Sequence, residues 1–232
     1  MRKTIKKILS RLHIFSQARV LEQYANAIFL KVHEKDFELL PEYINGGVIA
    51  DVGANMGQSI ISFRKLFPNS PIHAFEPNPK CIKTLKNVAR LVGGEVMVKQ
   101  CSVGDKNLTL TFYVPVISGE VELFQEGSFD ADTFSQRVTV SRIGQPFTLK
   151  ETEINVIKLD DLNDRFSLIK IDVQGYEKNV LDGAIELIKK DRPVIVLEKD
   201  LRSDAAILSM LGDFGYKLIE GVGNNIYLPS QS

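Results

Sequence analysis

The chain has 232 residues, the size of one large domain or two small ones, and its 29 basic residues balance its 29 acidic residues. This balance disfavours a protein that coats DNA or RNA, because neutralising phosphates requires an excess of basic residues. Hydrophobic residues make up 44% and charged residues 25%, as is typical of globular proteins. Two cysteines without a C-x-x-C spacing favour a reducing compartment, so we expect a cytoplasmic location.

The neutral sum conceals a basic N-terminal segment. Residues 1–20 contain no acidic residue, so the rest of the chain is net acidic. The apolar residues near the start of this segment share one helix face. Bland packing or a solvated helix is the simpler use of the segment, and peripheral contact with the inner face of an anionic membrane is the alternative. The basic residues are Arg2, Lys3, Lys6, Lys7, Arg11 and Arg19, and the apolar residues are Ile5, Ile8, Leu9 and Leu12.

Residues 1–45 are predicted to form a helical extension, which Pro41 and the pair Gly46-Gly47 bring to an end. From residue 46 onward, short apolar runs alternate with amphipathic stretches, which predicts an α/β domain over 46–232 with a doubly wound parallel sheet. The predicted strands are Val48–Val52, Ile72–Phe75, Val96–Cys101, Leu168–Asp172 and Val194–Glu198. The predicted helices cover Gln58–Phe67, Lys80–Val92, 175–190 and 201–214.

Two regions depart from this alternation. At the C-terminus, the apolar runs Tyr216–Ile219 and Asn225–Leu228 are joined by too few residues for a parallel crossover, so the last strand is predicted to be antiparallel. In the middle, residues 105–158 are predicted to form strands at Leu108–Val114, Val138–Val140 and Ile154–Leu159. They enclose the polar stretch 117–136, which is either an acceptor-side functional loop or a solvated surface insertion.

A glycine-containing loop follows the first predicted strand, and a predicted helix follows the loop. It reads Asp51-Val-Gly-Ala-Asn-Met-Gly57, so Gly53 allows a tight turn with close backbone approach to a ligand, and Gly57 allows the helix start to pack against the strand. The spacing is not the G-x-G-x-x-G of dinucleotide-binding loops. A carboxylate at Asp51 would repel a pyrophosphate but suit a cationic ligand. S-adenosylmethionine carries a sulfonium and an ammonium group and no phosphate.

Further candidate ligand contacts lie at the ends of the next two predicted strands. Glu76 follows Gly53 by 23 residues, close to the offset of an acid that binds ribose hydroxyls. An exposed acid at a strand end is the simpler interpretation of the same residue. At the end of the third strand, Ser102 and Val103 are candidates for contact with an adenine.

Several motifs together resemble the FkbM-type S-adenosylmethionine-dependent methyltransferases. They span roughly residues 48–200 in the family's order: Asp51–Gly57, Ala74–Pro79, Ile157–Asp161, Lys170–Gly175 with Glu177, and Arg192-Pro193 followed by Glu198. The resemblance implies a class I methyltransferase (Rossmann-like) fold, a seven-stranded sheet whose last strand is antiparallel. It also implies S-adenosylmethionine as cofactor, S-adenosylhomocysteine as product, and O-methylation of a sugar, glycan or other small hydroxylated acceptor. The cofactor-binding positions are then Asp51, Gly53, Ala54, Asn55, Gly57, Glu76, Pro77, Ser102, Val103 and Asp172.

The sequence departs from the commonest form of this family in two places, and one of them is the stretch 117–136, which matches no motif of the family. The family's Asp-x-Glu-Gly is here Asp172-Val-Gln174-Gly175, and a glutamine can form hydrogen bonds but cannot take a proton. Asp172 is our first candidate for the base that removes the acceptor's hydroxyl proton, with a helix cap as its alternative role. Lys170 shares its strand face and can orient the base by pairing with Asp172 or Glu198, itself a second candidate base.

Other functions remain open at the level of sequence. An NAD(P)-dependent oxidoreductase on a related nucleotide-binding fold is one alternative, which the loop spacing and the antiparallel tail disfavour. A non-catalytic scaffold with a methyltransferase-like fold is another. A nucleic-acid substrate is disfavoured because the domain that carries the motifs is net acidic. No His or Cys spacing predicts a metal site, and the sequence does not predict an oligomeric state.

Overall fold

The computed structural model describes residues 17–117, 121–122, 127–129, 131, 147–199 and 205–230. The predicted helix face at Ile5–Leu12 and the predicted strand Val138–Val140 lie outside these residues, as does most of the 117–136 loop. Among the described residues, none belongs to a helix long and apolar enough to cross a bilayer.

Two layers of helices cover a central sheet of seven strands. In chain order the elements of this core are helix α1 (residues 17–29), a 3₁₀ helix at Lys35–Glu42, β1 Val48–Val52, α2 Gln58–Leu66, β2 Ile72–Phe75, α3 Pro79–Val92 and β3 Val96–Lys99. After an inserted region, the core continues with β8 Phe166–Ile171, α4 Glu177–Asp182, α5 Ile185–Asp191, β9 Val194–Glu198, α6 Ala205–Asp213, β10 Tyr216–Glu220 and β11 Asn224–Pro229.

The sheet order confirms the predicted fold class. The strands lie in the order β10-β11-β9-β8-β1-β2-β3, and β11 runs antiparallel to both of its neighbours while the remaining pairs are parallel. The short connection at 221–223 forces this reversal, because it allows only a hairpin between β10 and β11. The carboxyl ends of β1, β2, β8 and β9 therefore meet at one edge of the sheet.

Alternation along β1 assigns its side chains to two apolar layers. Ala50 and Val52 pack with the side chains of α4 to α6 on one face. Ile49 packs on the other face with α2, α3 and the 3₁₀ helix, whose Phe37 and Leu40 are fully buried. The N-terminal extension is thus packed directly against the sheet domain, and the boundary at residue 45 stays a prediction.

The region between β3 and β8 forms a second sheet. Its strands are β4 Ser102–Val103, β5 Leu108–Ile117, β6 Val121–Glu122 and β7 Phe147–Ile157, in the order β4-β7-β5-β6. A long antiparallel pairing joins β5 and β7, from Leu108 opposite Val156 to Ile117 opposite Phe147. The sequence predicted only the first part of β5 and the last part of β7.

Two helix predictions need correction. The helix predicted over 175–190 is two helices, α4 and α5, separated at Gly183 and Ala184. Gly183 packs so closely that an added Cβ would lie 1.9 Å from the carbonyl oxygen of Gly104. The predicted helical extension is also interrupted between α1 and the 3₁₀ helix, where Leu30 has a positive φ of 46°.

Candidate active site

The loop after β1 crosses the carboxyl edge of the sheet between β2 and β8. The backbone N–H groups of Gly53 and Ala54 both donate to the carbonyl of Phe75, at 3.0 and 3.1 Å. A Cβ on Gly53 would lie 1.8 Å from the carbonyl oxygen of Asp172, and its φ of 79° also favours glycine. Gly53 is therefore required for close packing against the protein's own backbone at Asp172, and its close approach to a ligand stays a prediction.

Gly57 supports the same loop at its other end. Its φ is 96°, and an added Cβ would lie 2.9 Å from the Val88 side chain and 3.2 Å from that of Leu85. The close packing at Gly57 is thus made with α3, whereas the sequence predicted packing against the strand. Asn55 also has a positive φ, 48°, which asparagine tolerates better than most residues.

Glu76 lies at the end of β2 with its carboxylate in the cavity beside this loop. One carboxylate oxygen accepts the N–H of Asn55 at 2.8 Å and the other accepts the N–H of Asn78 at 2.7 Å. Burial raises the pKa of Glu76 to about 7, although these two N–H donors act in the opposite direction. Since a carboxylate has about four acceptor positions, each oxygen keeps capacity for one further hydrogen bond.

Lys170 lies at the centre of a buried charged cluster. Its Nζ donates to the Gly53 carbonyl at 3.0 Å and lies 3.3 Å from Asp51 Oδ1 and 3.4 Å from Asp172 Oδ2. Asp51 and Lys170 are register partners on adjacent strands β1 and β8, and their relative exposures are 0% and 4%. Burial alone would lower the pKa of Lys170, but the two carboxylates outweigh it and raise that pKa. Lys170 therefore remains protonated and acts as a positioning residue.

Gln174 joins the two candidate bases. Its side-chain nitrogen donates to Asp172 Oδ1 at 3.1 Å and to Glu198 Oε2 at 2.9 Å. The Gln174 backbone has a positive φ of 57°, in the sparsely populated left-handed region. The glutamine that cannot serve as a base thus has a different role, since it holds two carboxylates close together.

Asp172 and Glu198 differ in their affinity for a proton. Burial alone would raise the pKa of Asp172, but the charge of Lys170 and the hydrogen bonds from Glu198 and Gln174 lower it. Partial burial, then the hydrogen bond with Asp172 and its negative charge, raise the pKa of Glu198. A shared proton therefore resides on Glu198 and leaves Asp172 ionised.

Half of the predicted site residues line a cavity at this edge. They come from four separate stretches of sequence that the parallel strands bring together. The predicted residues in its lining are Gly53, Asn55, Glu76, Pro77, Ser102 and Asp172.

The other six predicted site residues lie outside the lining of this cavity, so their roles in cofactor binding or catalysis stay predictions. Asp51 is fully buried and its second oxygen accepts the Ser59 hydroxyl at 2.6 Å, so it acts behind the cavity wall. The side chains of Ala54 and Val103 belong to the two apolar cores. The other three residues, Gly57, Lys170 and Glu198, support the loop or the Asp172 carboxylate.

Sequence reasoning missed an aromatic wall of the cavity. Phe112 from β5 and Phe129 from the 117–136 stretch line it, with ring centroids 5.1 Å apart. Phe129 also lies 5.4 Å from the ring of Tyr176, and Gly127 allows the close packing, since an added Cβ would lie 2.1 Å from the Phe112 ring. The available signal was the polar loop itself, which carries Gly127 and Phe129 to this edge.

The cavity is small. It encloses about 90 Å³, below the roughly 300–1,000 Å³ usual for ligand pockets. A larger depression of about 980 Å³ lies at the opposite edge, beside the amino ends of β1, β8 and β9. Its most enclosed cation, Arg192, donates to the carbonyls of Phe214, Gly215 and Ser230, so it is not free to bind a ligand. Ligands of doubly wound sheets bind at the carboxyl edge, which identifies the smaller cavity as the candidate site.

In the described part of the chain, no three His, Cys, Asp or Glu side chains lie close enough together to hold a metal ion. Both cysteines are buried and neither forms a disulfide, and burial raises the pKa of the Cys101 thiol to about 11. Neither thiol is therefore poised for nucleophilic chemistry.

The sheet order with its antiparallel β11, and the glycine loop at the carboxyl edge, define a class I methyltransferase fold. The crystal structure of methyltransferase FkbM from Methylobacillus flagellatus KT shares this fold at a TM-score of 0.53 and 18% identity, covering 79% of this chain and 43% of that chain. The sequence matches the methyltransferase FkbM domain family over residues 51–218. The chain belongs to this family.

Two curated relatives extend the comparison. Methyltransferase 1 of Beauveria bassiana (strain ARSEF 2860) is 30% identical over 161 residues, which cover 65% of this chain and 63% of that protein. The 31-O-demethyl-FK506 methyltransferase FkbM of Streptomyces tacrolimicus is 31% identical over 156 residues, which cover 60% and 59%. The matched stretches therefore span less than two thirds of either relative.

Proposed function

We propose that this chain is an S-adenosylmethionine-dependent methyltransferase that methylates an oxygen of a sugar, a glycan or another small hydroxylated acceptor. The observation that carries the proposal is the convergence of the Gly53 loop, the Glu76 carboxylate and Asp172 on one cavity at the carboxyl edge. Membership of the FkbM domain family supports methyl transfer. The name of the Streptomyces tacrolimicus relative, a 31-O-demethyl-FK506 methyltransferase, supports an oxygen as the acceptor atom.

The residues present suit this cofactor in their chemistry. Glu76 has one free acceptor position on each oxygen, which matches the two hydroxyl hydrogens of a ribose diol. Gly53, Asn55 and Ser102 offer backbone and hydroxyl groups along the same wall, and cavity carboxylates suit a ligand with a positive charge. S-adenosylmethionine, when bound, supplies an electrophilic methyl group.

The volume of the cavity adds a requirement. About 90 Å³ holds only a few water molecules, since each water occupies about 30 Å³ in the liquid. Gly127 and Phe129 form the wall contributed by the loop between β6 and β7, where they pack on Phe112, and Ser128 between them exchanges two backbone hydrogen bonds with Tyr113 of β5. We therefore expect this wall to move outward when the cofactor binds.

Asp172 is our first candidate for the base. It lines the cavity, it is ionised because Lys170 lowers its pKa, and Gln174 and Lys170 fix its two oxygens. A hydroxyl proton taken by Asp172 has an acceptor nearby in Glu198, whose higher pKa favours the protonated form. The carboxylate pair can therefore accept the hydroxyl proton of the acceptor only after Glu198 has lost its own proton. Because the pKa of Glu198 is raised, turnover should increase toward weakly alkaline pH.

The aromatic wall supports a ring-bearing acceptor. Phe112 and Phe129 present flat apolar surfaces next to the carboxylate of Asp172 and the amide of Gln174. Flat apolar surfaces beside hydrogen-bonding groups suit a sugar, whose ring has apolar C–H faces and a polar rim. The part of the 117–136 loop that carries Phe129 is then the acceptor-side loop that the sequence suggested.

The alternative functions predict different ligands. An NAD(P)-dependent oxidoreductase needs a loop that accepts a pyrophosphate, whereas the Gly53 loop lacks the G-x-G-x-x-G spacing and the carboxylate of Asp172 lines the cavity beside it. A non-catalytic scaffold would bind the cofactor without turnover.

Titration calorimetry with S-adenosylhomocysteine and with NAD⁺, followed by transfer of a labelled methyl group to a panel of hydroxylated glycans, separates these functions. We expect S-adenosylhomocysteine to bind, NAD⁺ not to bind, and label to enter at least one acceptor. Asp172→Asn should abolish transfer while cofactor binding persists, and Asp213→Asn, at an exposed acid on α6, is the matched control. Binding of NAD⁺ without binding of S-adenosylhomocysteine would overturn the proposal.

A further inference from the structure

Helix α1 is apolar on two sides. On the inner side Tyr24 and Ala27 pack against Ile61 and Val88, and the Tyr24 hydroxyl accepts a hydrogen bond from Asn87 at 3.0 Å. This side fixes the helix to α2 and α3. A helix that is anchored in this way normally presents polar residues on its other side.

The outer side of α1 instead presents large apolar side chains. Leu21, Ile28 and Phe29 have 67%, 64% and 79% of their surface exposed, and Ala25 between them is exposed as well. Leu21, Ala25 and Ile28 are spaced i, i+4, i+7, so they form one stripe along the helix. Single exposed apolar residues are ordinary, but a stripe of this kind on an anchored helix marks an interaction surface.

The charge around this stripe identifies its partner. Six basic residues and no acidic residue occur in residues 1–20, and the last of them, Arg19, is exposed on α1 itself. Helix α1 itself carries one basic residue, Arg19, and one exposed acidic residue, Glu22, and the remainder of the chain is net acidic, so the net positive charge comes from the segment that precedes the stripe. Apolar residues on one helix face with Lys and Arg close by are the features by which amphipathic helices bind anionic bilayers.

We propose that the outer face of α1, together with the basic segment that precedes it, binds the surface of an anionic phospholipid bilayer. The apolar stripe enters the boundary between headgroups and acyl chains, and the basic residues interact with the anionic headgroups. A second copy of the chain suits the stripe less well, because a few side chains supply only a fraction of the roughly 1,200–2,000 Å² that a stable interface buries. The proposal does not depend on the proposed methyl transfer.

The absence of tryptophan from the sequence allows a direct test. Phe29→Trp in the full chain introduces a single fluorophore on the outer face of α1. We expect its emission to shift to shorter wavelength with vesicles of phosphatidylcholine and phosphatidylglycerol, and not with phosphatidylcholine alone. Leu208→Trp, at a 49% exposed position on α6, is the matched control and should show no shift with either vesicle. Equal shifts at both positions, or none at position 29, would overturn the proposal.

Vesicle co-sedimentation separates the two parts of the surface. Leu21→Glu with Ile28→Glu should abolish binding, whereas Leu208→Glu should leave it unchanged. Lys6→Gln with Lys7→Gln should weaken binding about 30-fold, since each basic residue near an anionic surface contributes roughly fivefold and the two factors multiply. High salt should weaken the binding of the native chain.

Two further outcomes would contradict bilayer binding by the outer face of α1. If the Leu21→Glu, Ile28→Glu variant melts at a much lower temperature than the native chain, the stripe is covered within the folded chain. If the native chain is dimeric by light scattering and this variant is monomeric, a second copy covers it. Unchanged S-adenosylhomocysteine binding by the variant would show that loss of vesicle binding is separate from the cofactor site.

Discussion

Replacing Lys170 with methionine tests the buried charged cluster behind the cavity. The substitution keeps a long unbranched side chain but removes the ammonium group that lies within 3.4 Å of Asp51, Asp172 and the Gly53 carbonyl. Asp51 is 0% exposed and would keep only its hydrogen bond from Ser59. Asp172 opens onto the cavity, so water can compensate part of its loss.

The expected loss of folding stability comes mainly from Asp51, because water cannot reach it as it reaches Asp172. Removing one partner of a buried ion pair costs roughly 3–5 kcal/mol, because the other charge stays buried and unpaired. That is a large share of the roughly 5–15 kcal/mol that holds a typical domain folded. Asp51→Asn combined with Lys170→Met removes the stranded charge, so the double variant should be more stable than Lys170→Met alone.

Urea unfolding followed by circular dichroism measures these differences. Because the pKa of Lys170 is raised in the folded chain, its contribution is fully present below the unfolded value of about 10.4 and is lost as pH rises above it. The stability gap between the native chain and Lys170→Met should therefore narrow at strongly alkaline pH. A loss below about 1 kcal/mol at neutral pH, or a double variant no more stable than Lys170→Met, would refute the reasoning.

Four further substitutions test other contacts. Gly53→Ala should abolish S-adenosylhomocysteine binding in calorimetry, because its Cβ would lie 1.8 Å from the Asp172 carbonyl; retained affinity would show that the loop can shift. Gln174→Leu should shift the pH profile of methyl transfer by freeing both carboxylates from the shared amide, and an unchanged profile would contradict that role. Cofactor affinity should rise with pH through about 7 as Glu76 ionises, and Glu76→Gln should remove this dependence. Asp36→Ala removes the acceptor of three backbone N–H groups in the last hairpin and should cost roughly 2–4 kcal/mol in urea unfolding, with Asp36→Asn costing less; equal stability of the two variants would contradict this.

The sequence predicted three strands of the central sheet well because nearly all of their residues are buried. The runs Val48–Val52, Ile72–Phe75 and Val194–Glu198 match the observed strands residue for residue. In β7 the prediction failed over residues 147–153, because that part alternates exposed and half-buried residues without a continuous apolar run. Its strand state depends on pairing with β5, a contact between distant stretches that local patterns do not encode.

The site was predictable where spacing alone decides the geometry. Lys170 and Asp172 lie two residues apart, so their side chains had to share a strand face, and they are paired at 3.4 Å. The pairing of Lys170 with Asp51 depends on the register of β1 against β8, which one sequence does not reveal. Phe129 was missed for the same reason, since only tertiary structure brings its loop to the cavity.

The contacts of Lys170 and Gln174 connect the cofactor loop with the two carboxylates that are candidate bases. One ammonium group, that of Lys170, contacts both the backbone of the cofactor loop at Gly53 and the carboxylate of Asp172. Asp172 in turn shares the Gln174 amide with Glu198. A movement of the loop when a ligand binds therefore changes the position of the charge that keeps Asp172 ionised. Cofactor binding should accordingly alter the proton affinity of Asp172 and Glu198. The protonation state of the base that acts on the acceptor is then fixed only after the methyl donor has bound.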